Sequence, residues 1–171
     1  SVTINVVATD ASAIEGETGD VVTFTISRSQ DNGTASSVDF DLGTSGGSSL
    51  EASDIASIVI TDSNGTTTLS TAAEIADFLA NGTQVTLSGA DSATVVLTPV
   101  DDNVLEDTES FSGNISAPTN GSVGTGTAAA SFVDEDGSNP LNPRNESVTI
   151  NVVATDASAI EGETGDVVTF T

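Results

Sequence analysis

The sequence predicts an all-β fold, a sandwich of antiparallel sheets carrying one short helix. Three observations lead there. Hydrophobic residues make up 36 % of the chain, they are mostly Val, Ile, Ala and Leu, and Phe is the sole aromatic type; Val and Ile, together with Thr, suit half-buried strands. Apolar residues recur at every second position in short runs, the period of a strand with one face covered. Gly, Asn, Asp and Ser punctuate those runs at the short intervals that a sandwich requires.

Taken in order, Val2, Ile4 and Val6 alternate in a first strand reaching Thr9. Residues 20–27 form a second, with Val22, Phe24 and Ile26 on one face, and residues 36–42 a third, with Val38, Phe40 and Leu42 in phase. A Gly/Ser-rich loop, 43–49, follows. Strands 58–61 and 66–69 flank Asp62-Ser63-Asn64-Gly65, whose Asn-Gly favours a tight turn. Residues 70–82 break the pattern: Thr71 and Glu74 fit a capping box, Ile75, Phe78 and Leu79 share a helical face, and Gly82 is placed to end a helix. That helix is expected to pack on the sheet or cover an edge. Strand signals resume at 83–87, 93–100, 109–116 and 125–133, about eight strands in all. Pro99, lacking an N–H, marks an edge or a bulge.

Residues 147–171 repeat residues 1–25 letter for letter. The chain therefore divides into a repeat at 1–136, a Pro-containing linker at 137–146, and the first strands of the next identical repeat at 147–171. Tandem near-copies provide reach, stiffness or avidity, so a spacer is the first functional expectation. The tail, which holds too little sequence for a core of its own, is expected to pack on a neighbouring chain, by strand exchange in one version.

Asp and Glu number 26 against two arginines, giving a net charge of −24 with no His or Cys. Four of the acids (Asp156, Glu161, Glu163, Asp166) lie in the tail. A surface of this sign repels nucleic acid and anionic membrane, which excludes both as partners. Disulfides are excluded, and no window is long and apolar enough for a membrane helix. Catalysis has no His, Cys or Lys to draw on, and the serines lack a base, so an enzyme is not expected.

The acids gather at strand ends. Glu15 follows the first strand, Asp54 the third; Asp101 and Asp102, then Glu106 and Glu109, fill the turn after residue 100; Asp134, Glu135 and Asp136 close the last strand. If the first, third, 93–100 and last strands run the same way, these groups reach one pole of the sandwich. Such a rim is either a solvated surface or a cation site. Close unpaired carboxylates repel, and no cation is near in sequence, which favours the site. Ca²⁺, with 6–8 oxygen ligands in flexible geometry, fits better than Mg²⁺, and Zn²⁺ lacks His or Cys. No EF-hand is present.

Several segments resemble the Calx-beta family: Asp10-Ala-Ser-Ala-Ile-Glu15-Gly16, Val21 to Arg28, Ala52-Ser-Asp54, Val100-Asp-Asp-Asn-Val-Leu-Glu106-Asp-Thr-Glu109-Ser-Phe111, and Phe132-Val-Asp-Glu-Asp136. The resemblance implies an immunoglobulin-like sandwich binding Ca²⁺ in loops at one end. Glu15, Asp54, Asp101, Asp102, Glu106, Glu109, Asp134, Glu135 and Asp136 become the metal ligands. Two departures stand out: Glu135 in the middle of the triplet, and an insertion with a helix at 58–90.

The acidic, cysteine-free tandem copies are also similar to the extender repeats of bacterial RTX adhesins, which implies type I secretion and a place on the cell surface. The function expected is a Ca²⁺-rigidified spacer contacting adjacent identical repeats. The alternative is a glycan- or protein-binding adhesin module, although glycan sites usually use exposed Trp or Tyr, absent here.

Overall fold

The computed structural model describes residues 1–44, 50–89, 92–102, 107–134 and 152–171. Residues 1–134 form two facing sheets. The first has the order β10 (Ser122–Val123), β1 (Thr3–Asp10), β3 (Val22–Arg28), β8 (Ala93–Pro99), β5 (Ile55–Asp62), β6 (Gly65–Leu69). The second runs β2 (Ser12–Ile14), β11 (Thr127–Val133), β9 (Glu109–Thr119), β4 (Ser36–Thr44), β7 (Thr83–Leu87). Pairing is antiparallel apart from β1 with β10 and β11 with β2. This is the antiparallel β-sandwich that the sequence predicts, with one short helix among the described residues.

Alternation places the core. Val22, Phe24 and Ile26 of β3 and Val38 and Phe40 of β4 are fully buried, and Val95 and Leu97 of β8 meet them from the neighbouring strand. Leu42, predicted in phase, is only half-buried at the end of the β4 core face. Ring centroids separated by 5.0 Å (Phe132–Phe111), 6.3 Å (Phe111–Phe24), 5.6 Å (Phe24–Phe40) and 6.3 Å (Phe40–Phe78) link β11 to the helix through both sheets. Gly113 in β9 makes room for this file, since a Cβ there would lie 2.8 Å from Phe24 and 2.9 Å from Phe40.

The helix α1 (Ala72–Asn81) follows the predicted signals. Thr71 Oγ1 accepts from Glu74 N–H, the Glu74 carboxylate accepts from Thr71 N–H, and Gly82 at φ 65° donates to the Phe78 carbonyl at 2.8 Å. α1 carries the chain from β6, the edge of one sheet, to β7, the edge of the other, and buries Ile75 and Phe78 between them.

The structure sharpens several expectations. Residues 58–90, read as an insertion with a helix, are built into the sandwich: β5 pairs β8 inside the first sheet and β7 pairs β4 in the second. Pro99 ends an interior strand, opposite Ile55 where the register shifts between Ile55 and Ser57, so it marks a bulge and not an edge. Strands β2 and β10, of three and two residues, were too short to show a period. The linker, 137–146, lies outside the described residues.

The tail forms a hairpin of β12 (Ala154–Asp156) and β13 (Thr169–Phe170). Its pairs, Ala154 with Phe170 and Asp156 with Thr169, copy the β1–β3 pairs Ala8 with Phe24 and Asp10 with Thr23, bulge included.

Candidate metal centre

The direction of the strands brings the acids together. β2, β4, β8 and β11 end at one pole of the sandwich, and β3, β5 and β9 begin there. The hydrogen bond from Glu15 N to Val133 O, at 3.0 Å, sets Glu15 beside Asp134, one step beyond the Ile14–Val133 pair. Glu109 opens β9 opposite Phe132, so it lies diagonally across from Asp134. In the other sheet, Val100 N donates to Asp54 O at 2.9 Å, which puts Asp54 alongside the Asp101–Asp102 turn.

Parity explains which carboxylates go inward. Ala13 and Phe132 point into the core, so the next inward positions are Glu15 and Asp134; Phe111 points inward, so the position before it is Glu109. All three carboxylates are buried, at 5 %, 2 % and 4 % exposure. The hydrophobic core of the second sheet thus ends in acid. Burying charge in low dielectric costs several kcal/mol per ion unless it is compensated. One of the two arginines cannot compensate it. Arg28 sits at the opposite pole, where it pairs with Asp31 at 2.8 Å and donates to the carbonyls of Thr34 and Gly89. Arg144 is outside the described residues.

Local turns hold these groups in place. After Glu15, Gly16 and Gly19 adopt φ of 70° and 81°, and Asp20 Oδ2 accepts from Ile14 N at 2.9 Å, tying the end of the loop back to β2. Asp20 therefore acts as a positioning residue. Sequence reasoning treated it as the first residue of a strand, although an Asp following Glu-Gly-x-x-Gly could have suggested the cap. Asp54 Oδ2 accepts from Glu51 N at 2.6 Å and Oδ1 from Ser53 Oγ at 3.1 Å. With about four acceptor positions per carboxylate, Asp54 keeps capacity for another partner.

Of the nominated ligands, Glu15, Glu109 and Asp134 form the buried floor, Asp54 is half-buried, and Asp101 and Asp102 are exposed above it. Glu106, Glu135 and Asp136 lie outside the described residues. Among the described residues no three acids converge closely enough to form a metal cage by themselves. The donor set is right in kind for a hard cation, all oxygen without His or Cys, and the described part of it supplies a floor and one wall.

A separate cleft of about 360 Å³ opens between β6, α1 and β7, lined in part by Asp62, Glu74 and Asp77. Its carboxylates already have structural work. Asp62 accepts from Asn64 N and Thr86 N, Asp77 from Asn81, and Glu74 caps α1, whose three hydrogen bonds from Thr71 and Ser70 hold its carboxyl below the usual range.

No protein-family model and no curated protein sequence matches the chain. Among solved structures the fold is similar to the apo-form Calx CBD1 domain, at 14 % identity and a TM-score of 0.50, covering 79 % of this chain and 98 % of that one. It is also similar to CBD12 from CALX1.2, at 14 % identity and a TM-score of 0.51, covering 78 % of this chain and 44 % of that chain. At such identities the likeness concerns the fold: the domain is a Calx-beta-like sandwich.

Proposed function

We propose that the chain is a calcium-binding spacer repeat of a long, secreted cell-surface adhesin, folded and stiffened by Ca²⁺ at the acidic pole. The observation carrying this reading is the buried floor of Glu15, Glu109 and Asp134, joined at the same pole by Asp54, Asp101 and Asp102, with Arg28 at the far end. A divalent cation offsets that charge with oxygen ligands alone, and Glu106, Glu135 and Asp136, close in sequence to that floor, are further candidate donors.

An ion bound only by the native state stabilises it by about 2.7 kcal/mol when its concentration is 100 times the dissociation constant. Low cytosolic calcium would leave the repeat loose for export, and the higher calcium outside would fold it. Adjacent identical repeats are the expected partners, since the 25-residue duplication continues the same sequence into the next unit. A rod of such units reaches farther than a flexible chain, whose span grows as the square root of its length. The role proposed is non-catalytic, and turnover on a polysaccharide panel would replace it.

The test is thermal unfolding of the 171-residue chain in EDTA, in magnesium and in millimolar calcium. A calcium-selective rise in Tm supports the reading, and equal stability in the three buffers removes the ion from it.

A further inference from the structure

We propose that the outer face of the first sheet is a self-association surface, on which this domain packs side by side with a second copy of itself. The inference is independent of the calcium reading.

Strand register builds the face. Val7, Thr25, Thr94, Thr61 and Thr66 stand abreast across β1, β3, β8, β5 and β6, each paired with the next. Thr23, Val96, Val59 and Thr68 form the adjoining row. The residues that alternate with them along the strands, such as Phe24, Val95 and Ile60, are buried in the core, so both rows point outward. Every member of the two rows is β-branched and none is charged. Part of their hydrogen bonding is met within the face: Thr61 Oγ1 lies 3.0 Å from Thr66 Oγ1, and Thr25 Oγ1 lies 2.9 Å from Thr9 Oγ1 beside it. Such pairs lower the cost of removing water, while the methyl groups and Val7, 50 % exposed, supply apolar area.

Charge placement selects a second copy as the occupant. The chain carries −24, and two copies repel through any acidic surface. The outer face of the second sheet holds Asp39 and Asp41, α1 holds Glu74 and Asp77, and the pole holds the carboxylates of the candidate metal centre. Among the described residues the face of the first sheet meets an acid only at its edge, where Asp10 stands opposite Thr23. It is the side by which two such chains can approach. Copies joined there stack four sheets, with the Asp39 strands outermost and about 30 Å apart at ~10 Å per layer. That is several times the Debye length of about 8 Å at physiological salt. Sheets twisted in the same sense pack face to face in this way inside ordinary sandwiches.

Size sets the strength. Five strands at about 4.8 Å and three rows at about 6.7 Å cover about 500 Å² per copy, or about 1,000 Å² for the pair, the lower limit of a specific interface. A single contact is therefore weak. Where identical repeats follow one another, the face recurs in every unit and weak contacts multiply; that gain rests on the spacer reading, whereas pairing of single chains does not.

The experiment is sedimentation equilibrium of the 171-residue chain in millimolar calcium, from micromolar to millimolar protein, at low and high NaCl. A reversible dimer is expected, and NaCl should strengthen it, because repulsion is screened while no ion pair is lost. Thr61→Glu and Val7→Glu, at exposed positions of the first row, each bring two new acids into the contact and should weaken it at least about ten-fold. Since the two sites lie on different strands, loss of folding in one leaves the other to decide. Thr127→Glu, on the exposed outer face of β11 in the second sheet, adds the same charge and should leave association unchanged. A monomer at every concentration overturns the proposal, as does association that NaCl weakens or that Thr127→Glu and Thr61→Glu reduce equally. Retention of a monomeric chain on an uncharged polysaccharide, lost in Thr61→Glu, would also overturn it by assigning the face to that partner.

Discussion

Replacing Asp134 with asparagine should change the stability of this domain in opposite directions with and without calcium. Asp134 is buried between Glu15, beside it just past the end of β2, and Glu109, diagonal to it on β9. Facing strands lie about 4.8 Å apart and diagonal neighbours about 7–8 Å. At an effective dielectric of ~20, two unit charges 6–8 Å apart repel by about 2–3 kcal/mol. Neutralising Asp134 relieves two such terms, against which stand the screening of the rim and weaker acceptance by an amide oxygen. A net gain of about 1–2 kcal/mol in EDTA is expected, or about 2–8 °C in Tm for a domain of this size. In millimolar calcium the same change removes a charged ligand and leaves the ion short of a partner. Losses on breaking a buried charge pair run to about 3–5 kcal/mol, so Tm should fall. The assay is differential scanning calorimetry of both proteins in both buffers. A loss of similar size in each would refute the reasoning, because it would mean that protein donors, and no ion, hold the Asp134 carboxylate.

Other consequences concern the scaffold. Thr71→Ala removes the N-cap acceptor of α1 and should cost about 1 kcal/mol in denaturant unfolding. The Glu74 half of that cap has a lowered pKa, so its contribution is complete above the ordinary value of 4.5 and fades as pH falls through the lower folded value; Glu74→Gln should flatten the stability profile in that acid range, and an unchanged profile would dismiss the cap as its source. Gly113→Ala drives a methyl group into the rings of Phe24 and Phe40 and should cost at least the 1–3 kcal/mol typical of overpacking, about what urea melts resolve easily.

Long periodic segments were the most legible part of the fold. β3 announces itself through Val22, Phe24 and Ile26, and α1 through Thr71, Glu74 and Gly82, because these residues act within their own element. β2 and β10 did not show. Each is held by parallel pairing to a strand distant in sequence, β11 for β2 and β1 for β10, and two or three residues carry no period of their own. Pro99 was read as an edge or a bulge, and the structure has the bulge, which relieves the missing N–H inside a sheet as well as an edge does. The role of residues 58–90 was hidden for a related reason. Whether β5 lies inside a sheet depends on its pairing with β8, and nothing local to either strand declares it.

The acidic pole was legible as a location and less so as a geometry. Strand direction alone placed Glu15, Asp54, Asp101, Asp102, Glu109 and Asp134 at one end. The division into a buried floor and an exposed wall follows from parity: Glu15, Glu109 and Asp134 each stand two residues from an inward side chain (Ala13, Phe111, Phe132), so each continues the core alternation with a charge. That pattern was present in the sequence, but alternation is ordinarily read only as far as the last apolar residue. The tail shows how local the remaining information is. Separated from β8 and β11, residues 152–171 reproduce the pairing, the bulge and the Asp166 cap of their counterparts, while Phe170 and Val168 remain exposed. Hairpin geometry is therefore local to residues 152–171, whereas for their counterparts in the first repeat burial, and with it the bulk of the stabilisation, comes from the facing strands.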